Sequence, residues 1–106
     1  MKVPSATETD VSIAESSGDV FIDLGFSETE AMNLRLRSEL MIALRRLIEK
    51  QNWSQAEAAK RLSVTQPRIS DLMRGKITRF SLDTLVNMVV DAGMDVDLTI
   101  HERRVA

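Results

Sequence analysis

From Ser27 onward, apolar residues recur at intervals of three and four, and each new phase of the pattern opens with the same device. A Ser or Thr able to cap free helix N–H groups is preceded by one apolar residue and followed four positions later by another. Phe26 and Ala31 flank Ser27, Trp53 and Ala58 flank Ser54, Val64 and Ile69 flank Thr65, and Phe80 and Leu85 flank Ser81. Glu30 and Glu57 stand where they complete a capping box. The punctuation predicts four helices, at roughly 28–51, 55–62, 66–74 and 82–92, the last two stopped by Gly75 and Gly93. In the first, Leu36, Leu40, Ala43, Leu44, Leu47 and Ile48 form the expected core stripe, with Arg37, Arg45, Arg46 and Lys50 on other faces.

After Gly93 the period becomes two. Met94, Val96, Leu98 and Ile100 alternate with Asp95, Asp97, Thr99 and His101, the pattern of a half-buried strand. One strand cannot satisfy its own edge, so pairing with a second copy across a twofold axis is expected, making the chain a homodimer. Pairing with 20–24 of the same chain is the alternative. Residues 1–19 are rich in Ser, Thr, Asp and Glu and read as a flexible acidic arm. The apolar stretch 20–26 needs burial on the domain or on a partner. The expected organisation is an arm over 1–19, a helical domain over 20–93 and a dimerising strand and tail over 94–106.

Composition narrows the class. A chain of 106 residues, 43% of them hydrophobic, supports one modest core, and the scarcity of aromatic residues favours helices over a sandwich or barrel. With no Cys and one His there is no catalytic triad, no histidine or thiolate metal cluster and no disulfide, and no glycine-rich phosphate loop is present. No catalytic residue, cofactor or metal is therefore expected, and the chain does not read as an enzyme. No run approaches the ~18 apolar residues of a membrane span, and the first residues do not resemble a signal peptide, so a cytoplasmic location is expected. The net charge of −2 conceals a division: residues 35–79 hold eleven Lys or Arg against four acids, a local +7, between flanks of −6 over 1–34 and −3 over 80–106. A local basic field of this kind attracts a phosphate backbone.

The decisive segment is 54–76. Two short helices joined by a three-residue turn set the second at a steep angle, so that its outer face protrudes. Ala59 is small where the helices approach, while Leu62, Val64, Ile69 and Leu72 fill the space between them. On the other side of the second helix lie Gln66, Pro67, Ser70, Asp71 and Arg74, with Arg68 at the flank. Gln55, Ala59, Ile69, Leu72, the Ser-Gln-Ala-Glu opening and the Arg-Gly-Lys close resemble the phage-repressor-like helix-turn-helix superfamily of XRE or Cro type over about 36–92. The stretches 34–41, 66–72 and 80–82, Lys76 and the alternating tail look like its HigA-like antitoxin branch, extending the resemblance to most of 20–101. Ser63 departs from the pattern, since Gly is common there.

The resemblance implies a mainly α, four- to five-helix, lambda-repressor-like domain that represses its own operon and neutralises a RelE-like ribonuclease toxin encoded beside it. It places Gln55 on a phosphate at a helix N-terminus. Gln66 would pair with adenine, Arg68 with guanine and Asp71 with a cytosine amine, Pro67 would touch a thymine methyl, and Ser70 would share the base-facing side. Thr65, Arg74, Lys76 and Arg79 would hold the backbone of a double-stranded operator. Met94, Val96, Leu98 and Ile100 are the expected dimer contacts, and Val20, Phe21, Ile22 and Leu24 the expected toxin contacts. A stand-alone XRE-type regulator is one alternative function; a toxin inhibitor with only incidental DNA binding is another. Some residues have plainer readings: Asp71 as an i,i+3 ion partner of Arg68 and Arg74, Trp53 as the packing staple of its helix, and His101 as a surface residue.

Overall fold

The computed structural model describes residues 19–103. Among these the chain is helical: α1 is Asp19–Asp23, α2 Glu28–Gln51, α3 Gln55–Leu62, α4 Gln66–Met73 and α5 Leu82–Asp91, with a 3₁₀ turn at Ile77–Arg79 between α4 and α5. The long α2 is the spine. It packs against α1, α4, α5 and the 3₁₀ turn, while α3 lies on α4 and α5.

Local chemistry sets the boundaries. At Ser27 the capping box is complete: the Ser27 hydroxyl accepts the Glu30 N–H at 3.1 Å, and the Glu30 carboxylate accepts the Ser27 N–H at 3.0 Å. At Ser54 only the first half forms, because the Glu57 carboxylate is taken by Arg61 Nε at 2.6 Å. Ser81 caps Thr84 N–H at 3.1 Å, whereas Thr65 makes no side-chain cap and α4 instead starts on the fixed φ of Pro67. Helix α4 closes with Gly75 at φ 73°: Lys76 N–H donates to Asp71 O at 3.0 Å and Gly75 N–H to Leu72 O at 3.1 Å, a Schellman close.

The core joins Phe21 of α1, Met41, Leu44 and Ile48 of α2, Ala58 and Leu62 of α3, Ile69 and Leu72 of α4, Ile77 and Phe80 of the connecting turn, and Leu85 and Met88 of α5. Ser38, the buried polar residue of α2, donates back to the Arg35 carbonyl at 3.2 Å, which removes the cost of its burial. Ala59 is buried where α3 enters this core.

Two expectations are corrected. The buried stripe of α2 is Ala31, Leu34, Ser38, Met41, Leu44 and Ile48. Of the expected set only Leu44 and Ile48 belong to it; Leu36, Leu40 and Leu47 are half-buried and Ala43 is exposed. A long helix with two apolar stripes turns inward the one that its neighbours cover. The second correction concerns 20–24, which is mostly α1, so it offers no strand edge to the tail. Residues 94–103 make no strand pairing with the other described residues, so the expected strand is not formed within one copy; its expected partner was a second copy.

Candidate nucleic-acid interface

Helix α3, the turn 63–65 and α4 make one unit. Ser63 ends α3 in the left-handed region, at φ 60° and ψ 41°, with its N–H directed to the carbonyls of Ala59 and Lys60. That reversal carries the chain into Thr65, from which α4 departs. Ile69 and Leu72 are wholly buried on its inner side. Gln66, Pro67 and Arg74 are exposed on the outer side, and Ser70 is half-exposed between them. The positions 66, 70 and 74 fall one turn apart, so they form a single row along the helix. A two-turn helix pinned by two apolar side chains and offering a polar row to solvent has the shape of a groove reader.

Around this row the expected backbone-holding residues are spread at both ends. Gln55 is exposed at the N-terminus of α3, and Thr65 is exposed immediately before α4. Arg74 is exposed at the far end of α4; Lys76, in the turn beyond, is half-buried.

Two of the expected base-facing residues are engaged within the chain. Arg68 Nη1 donates to the Arg79 carbonyl at 2.7 Å, and its guanidinium carbon lies 5.0 Å from the centroid of the Phe80 ring. Asp71, its side chain 16% exposed, accepts from Arg79 Nη1 at 3.4 Å. The ion partner of Asp71 is thus Arg79, eight residues on, not Arg68 or Arg74: the turn after Gly75 folds Arg79 back beside α4. Sequence reading also missed Arg37. Placed with the solvated cations of α2, it is half-buried and donates to the carbonyls of Ile77 and Phe80 at 3.3 and 3.2 Å, with its Nε on Asn33 Oδ1 at 2.7 Å. Burial depresses its pKa below the ordinary arginine value. No periodicity marks such a residue, since its role depends on a loop forty positions away.

Trp53 is half-buried against the core, with the Arg61 guanidinium carbon 5.1 Å from its ring centroid. This is the staple position, with a cation on its outer face. Of the four apolar residues expected to face a toxin, Phe21 is 1% exposed and stacks edge-on against Phe26 at 6.4 Å. It is a core residue. Val20 and Leu24 are half-buried, and Ile22, 42% exposed, presents surface.

A family model for a helix-turn-helix domain matches residues 20–101, which takes in every helix from α2 to α5 and nearly all of α1. The chain belongs to the helix-turn-helix domain family. Its fold is that of a DNA-binding transcriptional regulator, from a DNA-binding family rather than an enzymatic one. No curated protein sequence matches this helix-turn-helix chain significantly. None of its described helices is long and apolar enough to cross a membrane.

Proposed function

We propose that this helix-turn-helix protein is a sequence-specific repressor that inserts α4 into the major groove, and that it is the antitoxin of a toxin–antitoxin pair. The observation that supports the first part is the two-sidedness of α4: Ile69 and Leu72 sealed inside, Gln66, Pro67 and Arg74 outside. Gln66, at the N-terminal end of the row, offers the amide geometry that pairs bidentately with adenine, and Pro67 and Ser70 lie beside it. Gln55, Thr65, Arg74 and Lys76 flank them as phosphate contacts, with Arg79 contributing from beyond the turn.

The operator is double-stranded DNA bound by two copies, with half-sites about 34 Å apart. A dimer is supported by an open groove of about 420 Å³ along α2, α5 and the tail, floored by Leu36, Leu40 and Val86 and edged by Val96 and Leu98. Leu98 and Ile100 are 76% and 84% exposed beside it, on a segment whose backbone has no strand partner. Apolar alternation on a segment without a strand partner is the arrangement that a second copy satisfies.

The antitoxin role rests on the −6 charge of residues 1–34, complementary to a basic RelE-like ribonuclease, together with the exposed Ile22. Residues 1–18 lie outside the described chain. The burial of Phe21 fixes how this role is tested: removing 1–18 leaves every described core residue in place, whereas removing 1–26 takes one with it. Co-expression with the product of an adjacent small basic open reading frame should suppress its toxicity, and less strongly without 1–18, which carry −2 of the −6 charge; no suppression by the full chain would refute the role.

The groove assignment is tested by selecting bound duplexes from a random pool and measuring affinity for the selected site. Gln66→Ala should lose about 1–3 kcal/mol of specific binding while melting normally. Full affinity and unchanged base preference in that variant would refute the placement of α4.

A further inference from the structure

Three carbonyls of the turn after α4 are held by arginines from two different helices. The carbonyls of Ile77 and Phe80 accept from Arg37 of α2, and the carbonyl of Arg79 accepts from Arg68 of α4. The Phe80 ring, wholly buried on the core side, carries the Arg68 guanidinium on its face. Arg79 in turn extends its own side chain back to Asp71 of α4. Arginine suits both tasks. Its flat fork donates in fixed directions and stacks on a ring, and it stays charged in a half-buried setting.

We infer that Arg68 is a positioning residue of the recognition unit: with Arg37, it braces residues 77–80 against α4 and α2 and so fixes where the cations beyond Gly75 stand relative to Gln66. This inference rests on the reading of α4 as the groove helix. Without the brace, the turn keeps the Schellman close and the buried Ile77 and Phe80 side chains but loses the contacts that fix its distance from α4, and Lys76 and Arg79 would meet the phosphates in many arrangements. A contact with several geometries costs ordering entropy on binding, whichever base pairs lie in the groove. Loss of Arg68 should thus weaken all duplexes alike, whereas loss of a base reader relaxes one position. The ion pair of Asp71 with Arg79 makes Asp71 a second member of the same brace.

Arg68→Gln and Arg68→Lys are compared with Gln66→Ala in two measurements. In the first, amide hydrogen exchange on the free protein should show the 77–80 amides exchanging about tenfold faster in both Arg68 variants, with α2 and α5 unchanged. In the second, base preference from pool selection should keep the same consensus in both Arg68 variants while affinity falls about three- to tenfold for every sequence. The lysine variant should fall short of rescue, because an ammonium neither stacks flat nor forks. Unchanged exchange over 77–80 overturns the brace. A preference altered at one base pair overturns the positioning role and marks Arg68 as a reader. If the parent protein selects no duplex at all, the DNA reading has failed, and the exchange measurement still decides the brace.

Discussion

The left-handed turn at Ser63 gives a stability prediction that follows from one dihedral. Ser63 stands at φ 60°, where a residue bearing a Cβ pays about 1–2 kcal/mol against the right-handed region. The residue is exposed, and among the described residues no side-chain hydrogen bond of Ser63 compensates. Glycine removes the steric term and returns about 0.5–1 kcal/mol through the greater freedom of the unfolded chain. Ser63→Gly should accordingly stabilise the fold by about 0.5–1 kcal/mol. For a domain of this size each kcal/mol moves Tm by about 4–8 °C, so the expected rise is roughly 2–8 °C. Thermal melts followed by far-UV circular dichroism on the parent, Ser63→Gly and Ser63→Ala measure it. The alanine variant keeps the Cβ and should melt with the parent, which separates backbone strain from loss of the hydroxyl. DNA affinity should hardly change, because the N–H that closes α3 remains. A glycine variant melting at or below the parent would show that the turn is not strained and would refute the reasoning.

The Glu30 carboxylate is held below the ordinary range chiefly by the Ser27 N–H it accepts, and next by the Ser27 hydroxyl. Glu57 is lowered chiefly by its hydrogen bond from Arg61. A depressed folded pKa contributes stability that is present above the unfolded value and lost as pH falls through the folded one. Tm should therefore drop on acidification below about pH 4.5, and Glu30→Gln should flatten that part of the profile; an unaltered slope would discount the capping box. Leu98→Asp and Ile100→Asp, at positions exposed in the single chain, should leave its melting cooperative and convert a dimer to a monomer by sedimentation. A dimer surviving both changes would move the twofold contact elsewhere.

Much of this architecture is local in origin, and that part is readable from the chain. Ser27, Ser54 and Ser81 mark their helices because their hydroxyls take N-terminal N–H groups that lack an intrahelical partner, whereas Thr65 stands at the start of α4 without capping it. Ile69 and Leu72, an i,i+3 pair, share one side of α4, and Ser70 and Arg74 fall on another. The rest depends on distant neighbours. Two stripes on α2 have nearly the same spacing, and only the positions of α1, α4 and α5 decide that Met41 is buried while Ala43 is not. The 20–24 segment shows apolar demand with too few residues to show a period, so α1 had no helical signature. The contacts of Arg68 and Asp71 with Arg79 have no local signature, because the turn that brings Arg79 beside them is a tertiary fact.

The Schellman close at Gly75 also limits what one copy of this protein is able to recognise. Eight residues at 1.5 Å rise make α4 about 12 Å long, which matches fewer than four base-pair steps of 3.4 Å. A word of four letters recurs by chance about every 256 positions, too often to single out one address among the ~10⁶ or more competing positions of a genome. For the dimer proposed above, two such words read at a fixed separation recur about once in 65,000, so a helix stopped after two turns shifts the burden of discrimination from the length of the reader to the distance between readers.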